Sequence, residues 1–265
     1  MAGFLLVNPR SGDARPGPNE LADAAAARGI AVQVLREGED PAELARRADA
    51  EAIGIAGGDG SLAPVAAVAI DRDLPFVCVP FGTRNHFARD LGLDRDAPVG
   101  ALDAFSGRER RIDVGRAGDR LFLNNVSLGL YARLVHRREH HRRRRDTLAL
   151  ARAFAILLRE RKQFLLTVDG RPIEAPVVLV ANNAYRLELL SIGERDRLDE
   201  GLLHLYAPTR LVRSEWREQS AERFTVGSDR SVLEAAVDGE PEELALPIEF
   251  RIEPRALRVL VPPGR

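Results

Sequence analysis

The sequence predicts an N-terminal α/β domain, with a parallel sheet covered by helices on both faces, followed by a C-terminal β-rich, sandwich-like domain. Up to about residue 110, short apolar runs alternate with helical segments, which is the order of a parallel α/β sheet. Glycine-rich loops directly follow several of these runs. Further along, short β-type runs follow one another, and Asp-Gly pairs at 169–170 and 238–239 are typical of hairpin turns.

The first half is predicted to contain four strands, each followed by a helix. Asn19 is the expected N-cap of the first helix and Gly29 its end, because asparagine suits the cap and glycine suits the left-handed residue beyond a helix. Asp40 and Pro41 begin the second helix, with proline at its first position. The predicted strands are Phe4–Val7, Ile30–Leu35, Ile53–Ala56 and Phe76–Val79, and the predicted helices are Glu20–Arg28, Pro41–Ala50, Leu62–Ile70 and Phe87–Leu91.

The second half is predicted to be antiparallel, and a boundary near residue 115 divides the chain into domains 1–115 and 116–265. A helix around Arg210–Ser220 is expected to pack against this second domain. The predicted strands are Arg111–Val114, Arg120–Asn124, Phe164–Val168, Val177–Ala181, Leu202–Ala207, Phe224–Val226, Val232–Val237, Ile248–Ile252 and Leu257–Val261.

Between the halves, residues 133–162 form a basic insert with helical character. Arginines are dense between positions 133 and 145, and an apolar stripe from Leu148 to Leu158 follows them. A basic amphipathic helix can lie on an anionic membrane surface. The alternative is a solvated arginine face on a helix that packs against its own domain, and we favour it because charge runs usually are solvated faces.

Composition argues against several classes of protein. The 265 residues are 45% hydrophobic and 30% charged, and the formal net charge of −1 gives no basis for a nucleic-acid partner. Cys78 is the one cysteine, so no internal disulfide forms and a reducing, cytoplasmic setting is expected. The apolar start is too short for a signal peptide, and no apolar run reaches the roughly 20 residues of a membrane span. Any membrane contact is therefore expected to be peripheral, at the inner face of the membrane, and a homodimer is one assembly that we consider.

Three loops at the ends of predicted parallel strands carry residues suited to chemistry. Ligands bind at the carboxyl ends of strands in open α/β sheets, and glycine loops before helices offer N–H groups to phosphate. Asp59 adds a carboxylate for a magnesium ion or its water, and Ser61 and Thr83 add hydroxyl groups. A Gly-Gly-Asp-Gly stretch can also be a simple turn, but three such loops are hard to explain by turns alone. The loops contain Asn8, Pro9, Arg10, Ser11 and Gly12; Gly57, Gly58, Asp59, Gly60 and Ser61; and Gly82, Thr83 and Asn85.

Asp238 and Glu240 flank the glycine of a predicted hairpin turn in the second half. Such a turn can direct both carboxylates to one place, where a carboxylate near a nucleophile serves proton transfer. Turn chemistry alone favours a plain hairpin with two exposed acids.

These motifs occur in the order seen in bacterial diacylglycerol kinase-like lipid kinases, which the chain resembles over almost its whole length. The residues that carry the resemblance are Asn8–Gly12, Gly57–Ser61, Pro80–Ala88, Ile112–Gly115, Phe122–Asn125 and Val237–Pro241. The resemblance implies a nucleotide-binding α/β domain and a β-rich domain, with the site in the cleft. It implies transfer of the γ-phosphate of ATP to a lipid hydroxyl, as in diacylglycerol, with Mg2+ and at a membrane surface.

The resemblance also implies roles for residues of the first domain. The residues Asn8–Gly12 and Gly58–Ser61, together with Thr83, would contact ATP. Asp59 and Asp113 would belong to the magnesium and water network.

For the rest of the chain, the resemblance implies a proton acceptor and a second magnesium site. Glu240 would accept the proton of the substrate hydroxyl, with Asp238 beside it. The second ion would take the Glu200 carboxylate and the carbonyl groups of Arg197 and Leu202.

Several residues depart from the family pattern. Arg84 and His86 stand where many members have glycine and aspartate, and Pro64 replaces a common glutamate. Glu200 stands at a usual aspartate, which leaves three possibilities: Glu200 serves as the ligand, Asp199 substitutes for it, or that magnesium site is lost. Two alternatives to a lipid kinase therefore stay open: a kinase of a soluble alcohol or nucleotide on the same scaffold, and a non-catalytic nucleotide- or lipid-binding homologue.

Overall fold

The computed structural model describes residues 2–11, 16–129, 164–175, 177–186, 194–208 and 216–263. The chain divides into two compact units. The first unit consists of residues 1–114, 194–200 and 253–265, and the second consists of residues 115–193 and 201–252. The chain therefore returns twice to the first unit, which the sequence pattern does not indicate.

The first unit contains a parallel sheet with the strand order β2-β1-β3-β4. The end of the last strand of the chain extends this sheet, where Val259 pairs in parallel with Phe76. Its elements are β1 (Gly3–Val7), α1 (Pro18–Ala26), β2 (Ala31–Val34), α2 (Pro41–Arg47), β3 (Ala52–Gly57), α3 (Asp59–Asp71), β4 (Phe76–Pro80), α4 (His86–Asp90), α5 (Pro98–Ala101), a 3-10 helix (Leu102–Ser106) and most of β5 (Arg108–Ala117).

Helices cover both faces of this sheet, as the alternation of strands and helices predicts. Leu5 and Val7 pack on one face, in one apolar cluster with Leu21 of α1 and Phe105 of the 3-10 helix. Leu6 is fully buried on the opposite face, because successive side chains alternate along a strand. α3 packs against β3 and β4, and α2 packs against α3. The predicted α/β class is confirmed for this unit.

Local signals fix two of the helix starts. Asp40 is the N-cap of α2, as predicted, and its Oδ1 accepts a hydrogen bond from the Ala42 N–H at 2.9 Å. The expected cap at Asn19 is wrong, because Pro18 is already the first residue of α1 and Gly17 is its N-cap. The Glu20 carboxylate accepts the Gly17 N–H at 2.7 Å, so proline and this glutamate together begin the helix earlier.

The second unit contains two antiparallel sheets. One has six strands in the order β12-β11-β10-β7-β14-β15, and in the other β16 pairs with β13, β13 with β8, and β8 with β9. The strands are β6 (Arg120–Phe122), β7 (Asn125–Gly129), β8 (Phe164–Val168), β9 (Arg171–Ala175), β10 (Val177–Asn182), β11 (Leu203–Pro208), β12 (Trp216–Ala221), β13 (Arg223–Ser228), β14 (Val232–Val237), β15 (Glu240–Ala245) and β16 (Ile248–Val261), which ends in the first unit.

One apolar core joins these two sheets. Val126 and Leu128 of β7 belong to the same buried cluster as Phe224 and Phe250 of the other sheet. The Phe122 and Phe250 rings meet edge to face, with centroids 6.5 Å apart. A two-sheet core of alternating inward residues is the arrangement of a sandwich, and the predicted β-rich class is confirmed.

The structure differs from the predicted elements at two places in this half. The helix expected around 210–220 is wrong for residues 216–221, which form the edge strand β12 and pair with β11 along its whole length. Polar residues at the edge of a sheet hide the alternating pattern that identifies an inner strand. The strands expected at 248–252 and 257–261 are one continuous strand, because the polar stretch Glu253–Arg255 does not interrupt it.

The basic insert at 133–162 and Gly12 lie outside the described residues, so both stay predictions. Within the described part of the chain, no helix is both long and apolar enough to cross a membrane.

Candidate active site

Three loops follow the carboxyl ends of β1, β3 and β4, which lie side by side in the sheet. Loop 1 is described at residues 8–11, loop 2 consists of residues 57–61, and loop 3 consists of residues 81–85. A Cβ atom placed on Gly57 would collide with Ser61 Oγ and would lie 3.4 Å from Ser11 Oγ. The predicted phosphate-binding residues of loops 1 and 2 therefore lie together.

Loops 2 and 3 touch through their glycines. A Cβ atom on Gly82 would collide with the Cα atom of Gly58 and would lie 3.0 Å from its backbone nitrogen. Only glycine lets the two backbones approach in this way. The loops thus form a surface of bare backbone, which is the property that close binding of a phosphate chain requires.

The Ser61 side chain is engaged within its own loop. Its hydroxyl donates to the Gly58 carbonyl oxygen at 2.8 Å, and the Ser61 N–H donates to the same oxygen at 2.9 Å. This turn makes residues 59–61 helical, so α3 begins three residues before the predicted Leu62. The hydroxyl oxygen still has acceptor capacity, and the Gly60 N–H lies in the first turn of the helix, where N–H groups lack intrahelical partners.

Asp59 joins loop 2 to the start of α4. Its Oδ2 accepts the His86 N–H and its Oδ1 accepts the Phe87 N–H, both at 3.0 Å. A carboxylate at a helix N-terminus is stabilised by the dipole and by the free N–H groups there. A carboxylate oxygen can accept more than one hydrogen bond or cation contact, so capping α4 is compatible with a role of Asp59 in holding a cation or its water.

Asn85 shapes loop 3 from inside. Its φ of 51° lies in the left-handed region, and its side chain is buried. The Asn85 Oδ1 accepts the Gly82 N–H at 2.9 Å, and its Nδ2 donates to the Gly82 carbonyl oxygen at 2.8 Å. Thr83, between these two residues, is exposed. Asn85 thus holds the loop, and Thr83 is accessible at its surface.

The environment of His86 favours the neutral ring. Burial lowers the pKa of His86 most, and the nearby Arg89 and Arg84 lower it further. Asp59 and Asp90 act in the opposite direction without overcoming these effects.

Asp113 is buried at a junction of three chain segments in the first unit. Its N–H donates to the Leu198 carbonyl oxygen at 2.7 Å, and its Oδ1 accepts the Arg255 N–H at 2.8 Å. The carboxylate therefore fixes β5 to β16, while the backbone of Asp113 fixes the segment 194–200.

The residues of the predicted second magnesium site are near in sequence but are divided between the two compact units. Arg197 and Glu200 lie in the first unit and Leu202 lies in the second. The Arg197 guanidinium pairs with Asp199, with an Nε–Oδ1 distance of 3.2 Å, and the Leu202 carbonyl oxygen accepts the Asn183 N–H at 3.1 Å. Among the described residues, no group of three or more His, Cys, Asp or Glu side chains is placed to hold a metal ion.

Asp238 and Glu240 occupy different environments in the second unit. Residues 238 and 239 form the two-residue turn between β14 and β15, with φ values of 48° and 86°. The buried Asp238 carboxylate accepts three backbone N–H groups, from Leu123 at 2.8 Å, Asn124 at 2.7 Å and Asn125 at 3.1 Å. Glu240, the first residue of β15, is exposed.

Asp90 and Arg195 form a buried pair that sequence reasoning missed. Their side chains are both fully buried, and Arg195 Nε lies 2.7 Å from Asp90 Oδ2. The two residues are about a hundred positions apart, and neither stands in a recognisable motif. No sequence signal could have joined them.

Comparison with known proteins finds a family match for part of the chain. Residues 2–117, which are less than half of the chain, match the model of the diacylglycerol kinase catalytic domain. The matched segment contains all three loops and Asp113.

Curated relatives agree with this assignment over part of their length. A protein of Pseudomonas fluorescens named "Probable lipid kinase YegS-like" is 40% identical over 75 residues, which are 28% of this chain and 25% of that protein. One of the same name from Pseudomonas aeruginosa is 32% identical over 139 residues, 50% of this chain and 45% of that protein. The diacylglycerol kinase of Bacillus subtilis is 33% identical over 84 residues, 31% of this chain and 28% of that protein. The matched regions thus span less than half of these relatives.

The fold likeness extends to both units. The crystal structure of a diacylglycerol kinase from Bacillus anthracis strain Sterne aligns with a TM-score of 0.71 over 98% of this chain and 96% of that chain. The two sequences are 16% identical, so this likeness shows the fold alone.

Proposed function

We propose that this protein is an ATP-dependent lipid kinase, which transfers the γ-phosphate of ATP to the hydroxyl group of a diacylglycerol-like lipid with Mg2+. The observation that carries the proposal is the close approach of loops 2 and 3 at Gly58 and Gly82 inside a diacylglycerol kinase catalytic domain.

ATP fits the three loops in chemical terms. Gly58 and Gly82 offer bare backbone where a Cβ atom would block approach, and the first turn of α3 offers N–H groups. Ser11 and Thr83 add hydroxyl groups at the edge of this surface. These features support binding of the phosphate chain by residues 8–12, 57–61 and 82–85.

Mg2+ fits the same surface. Magnesium in phosphotransferases is usually held by one or two carboxylates together with substrate phosphates and waters, so a cluster of three acids is not required. Asp59 supplies such a carboxylate within the loops, and Asp113 is proposed to act through ordered water. When bound, the ion neutralises charge on the phosphates. For the second site we propose Glu200 with the carbonyl oxygens of Arg197 and Leu202.

Glu240 is the proposed proton acceptor. The substrate hydroxyl oxygen forms a bond to the γ-phosphorus, the bond from this phosphorus to the bridging oxygen of ADP breaks, and the hydroxyl proton passes to the Glu240 carboxylate. Exposure of Glu240 supports this role, because an acceptor must reach the substrate. Asp238 already accepts three N–H groups, which supports a role in holding the turn that carries Glu240.

The proposal that the acceptor is a lipid rests on the family match and on the names of the relatives. The proposed location of the protein at a membrane follows from this acceptor. A lipid substrate requires contact with a membrane surface, which we propose to be peripheral and at its cytoplasmic face. A lipid substrate favours the membrane contact over the solvated face for the basic insert at 133–162, so we propose this insert as the contact, and a homodimer is proposed as the assembly.

A screen of phosphate acceptors tests this function. Purified protein, [γ-32P]ATP and Mg2+ are incubated with extracted lipids, with soluble alcohols and with nucleotides. Label in a lipid product supports the proposal. Label in a soluble product favours the soluble-substrate kinase, a candidate kept open because His86 and Glu200 depart from the lipid kinase pattern. ATP binding without transfer favours a non-catalytic homologue.

A further inference from the structure

The buried pair of Asp90 and Arg195 is part of a shared carboxylate. Asp90 Oδ2 takes the Arg195 Nε–H at 2.7 Å, and Asp90 Oδ1 takes two N–H groups of Arg89, from Nε at 3.0 Å and Nη2 at 2.8 Å. Arg89 also lies 3.5 Å from Glu194, which precedes Arg195. Two arginines from different segments of the first unit thus meet on one carboxylate.

Stability alone does not account for such a pair. Moving two charges out of water costs about as much as their attraction returns, and apolar replacements of similar volume are often neutral or stabilising. What a buried pair does supply is a defined geometry, because its hydrogen bonds are satisfied in only one arrangement. The pair therefore fixes the position of the segments that it joins.

Each of these segments is connected to a residue of the proposed site. Asp90 ends α4, and the first N–H groups of α4 are held by Asp59. Since α4 has five residues, it is about 7.5 Å long. Asp59 contacts its N-terminal end, and Asp90 is its last residue. Arg195 lies in the segment 194–200, which carries Glu200.

The segment 194–200 has a second anchor in the same unit. The Leu198 side chain is buried, and its carbonyl oxygen accepts the Asp113 N–H at 2.7 Å. Arg195 and Leu198 thus face the unit, while Arg197 is exposed and Asp199 and Glu200 are half-buried. Arg195 and Leu198 therefore anchor the segment, and the proposed metal-binding residues Arg197 and Glu200 lie at other positions of it.

We propose that Asp90 and Arg195 are a positioning pair. The pair holds the segment 194–200, the helix α4 and Asp59, which caps that helix, in one arrangement for catalysis. The inference rests on the proposed kinase function for its consequence in activity. Neither side chain is accessible, so neither touches substrate. Their effect passes through α4 to Asp59 and through the chain to Glu200.

Arg195→Met tests the pair, and hydrogen exchange separates a local effect from a general loss of folding. Methionine fills a similar volume, and Asp90 keeps its two hydrogen bonds to Arg89. Hydrogen exchange is measured at residues 86–91 and 194–200, and KM for ATP and kcat are measured at fixed Mg2+. We expect exchange in both segments to rise about tenfold or more, with kcat falling by a similar factor. Arg195→Lys, which returns the charge, should recover part of both losses.

Arg28→Gln is the matched control, because Arg28 pairs with Asp103 at 3.0 Å on the exposed surface of the same unit. It should change neither quantity. Wild-type exchange and kcat in Arg195→Met would overturn the inference, and so would a rise in exchange spread evenly over the unit. Failure of the kinase function would instead appear as absence of transfer by the wild type, while the exchange pattern still decides whether the pair holds the two segments.

Discussion

The carboxylate of Asp59, at the start of one helix, accepts the backbone N–H of His86, at the start of another, at 3.0 Å. The second oxygen of the same carboxylate accepts the next N–H along, from Phe87. One acidic residue therefore caps α4 from outside that helix and joins two of the three loops proposed to bind ATP. A residue in this place affects both the stability of the site and its charge.

Asp59→Asn and Asp59→Ala separate these two effects. Asparagine keeps one acceptor oxygen and alanine keeps none, so we expect losses in the free energy of unfolding of about 1 to 3 kcal/mol, larger for alanine. Both variants should lose phosphate transfer, since both lack the charge. Urea denaturation and a transfer assay measure the two effects, with Asp71→Asn, at the exposed end of α3, as the control. Full transfer by Asp59→Ala would remove this residue from the proposed metal–phosphate site.

Gly82→Ala tests the contact between loops 2 and 3. The added Cβ atom would meet the Gly58 Cα atom, so the loops must separate. We expect weaker ATP binding and a stability loss of about 1 to 3 kcal/mol. Gly100→Ala is the control, because a Cβ atom there meets nothing within 4 Å. Calorimetric titration with ATP that gives equal affinity for Gly82→Ala and wild type would refute the role of this contact.

Asp238→Asn is expected to act through structure. An amide oxygen cannot replace a carboxylate that accepts three N–H groups, so the variant should unfold at lower urea concentration. Its residual transfer activity should follow the folded fraction of the protein. A stable Asp238→Asn variant without activity would instead show that the Asp238 charge acts in the chemistry.

His86 should make the protein sensitive to mild acid. Because burial lowers the pKa of His86, the unfolded chain takes up a proton below about pH 6.5 that the folded protein does not. The stability contributed by the neutral ring is therefore present above this pH and is lost as the pH falls. We expect the free energy of unfolding of metal-free protein to fall more steeply between pH 6.5 and 5 than that of His86→Gln, by at most about 1.4 kcal/mol per pH unit. Parallel curves for the two proteins would contradict the assignment.

The sequence was sufficient for the fold class and for the three loops. The alternation of short apolar runs with helical segments identifies the parallel sheet. Gly57 ends β3, and Gly82 follows the end of β4. Hairpin turns such as that at Asp238 also follow from local chemistry, since aspartate and glycine suit left-handed residues.

What the sequence could not supply depends on contacts between distant segments. The engagement of Asp238 with the Leu123–Asn125 backbone and the return of residues 194–200 to the first unit arise from tertiary packing. The helix α1 begins at Pro18 and not after the expected cap Asn19, because proline and asparagine, which both favour a helix start, are adjacent in the sequence. The edge strand β12 has no apolar alternation, so its pairing with β11 decided its conformation.

Transfer of labelled phosphate from [γ-32P]ATP to diacylglycerol in mixed micelles is the most direct test of the proposed lipid kinase activity. Wild-type protein with Mg2+ should produce a labelled lipid phosphate that extracts into organic solvent. Glu240→Gln should form it at least about a hundredfold more slowly with unchanged ATP affinity, because the exposed side chain serves the proton and not the fold. Glu243→Gln, an exposed acid on the same strand, should match the wild type. No labelled lipid from the wild type, or equal rates for Glu240→Gln and wild type, would contradict the account.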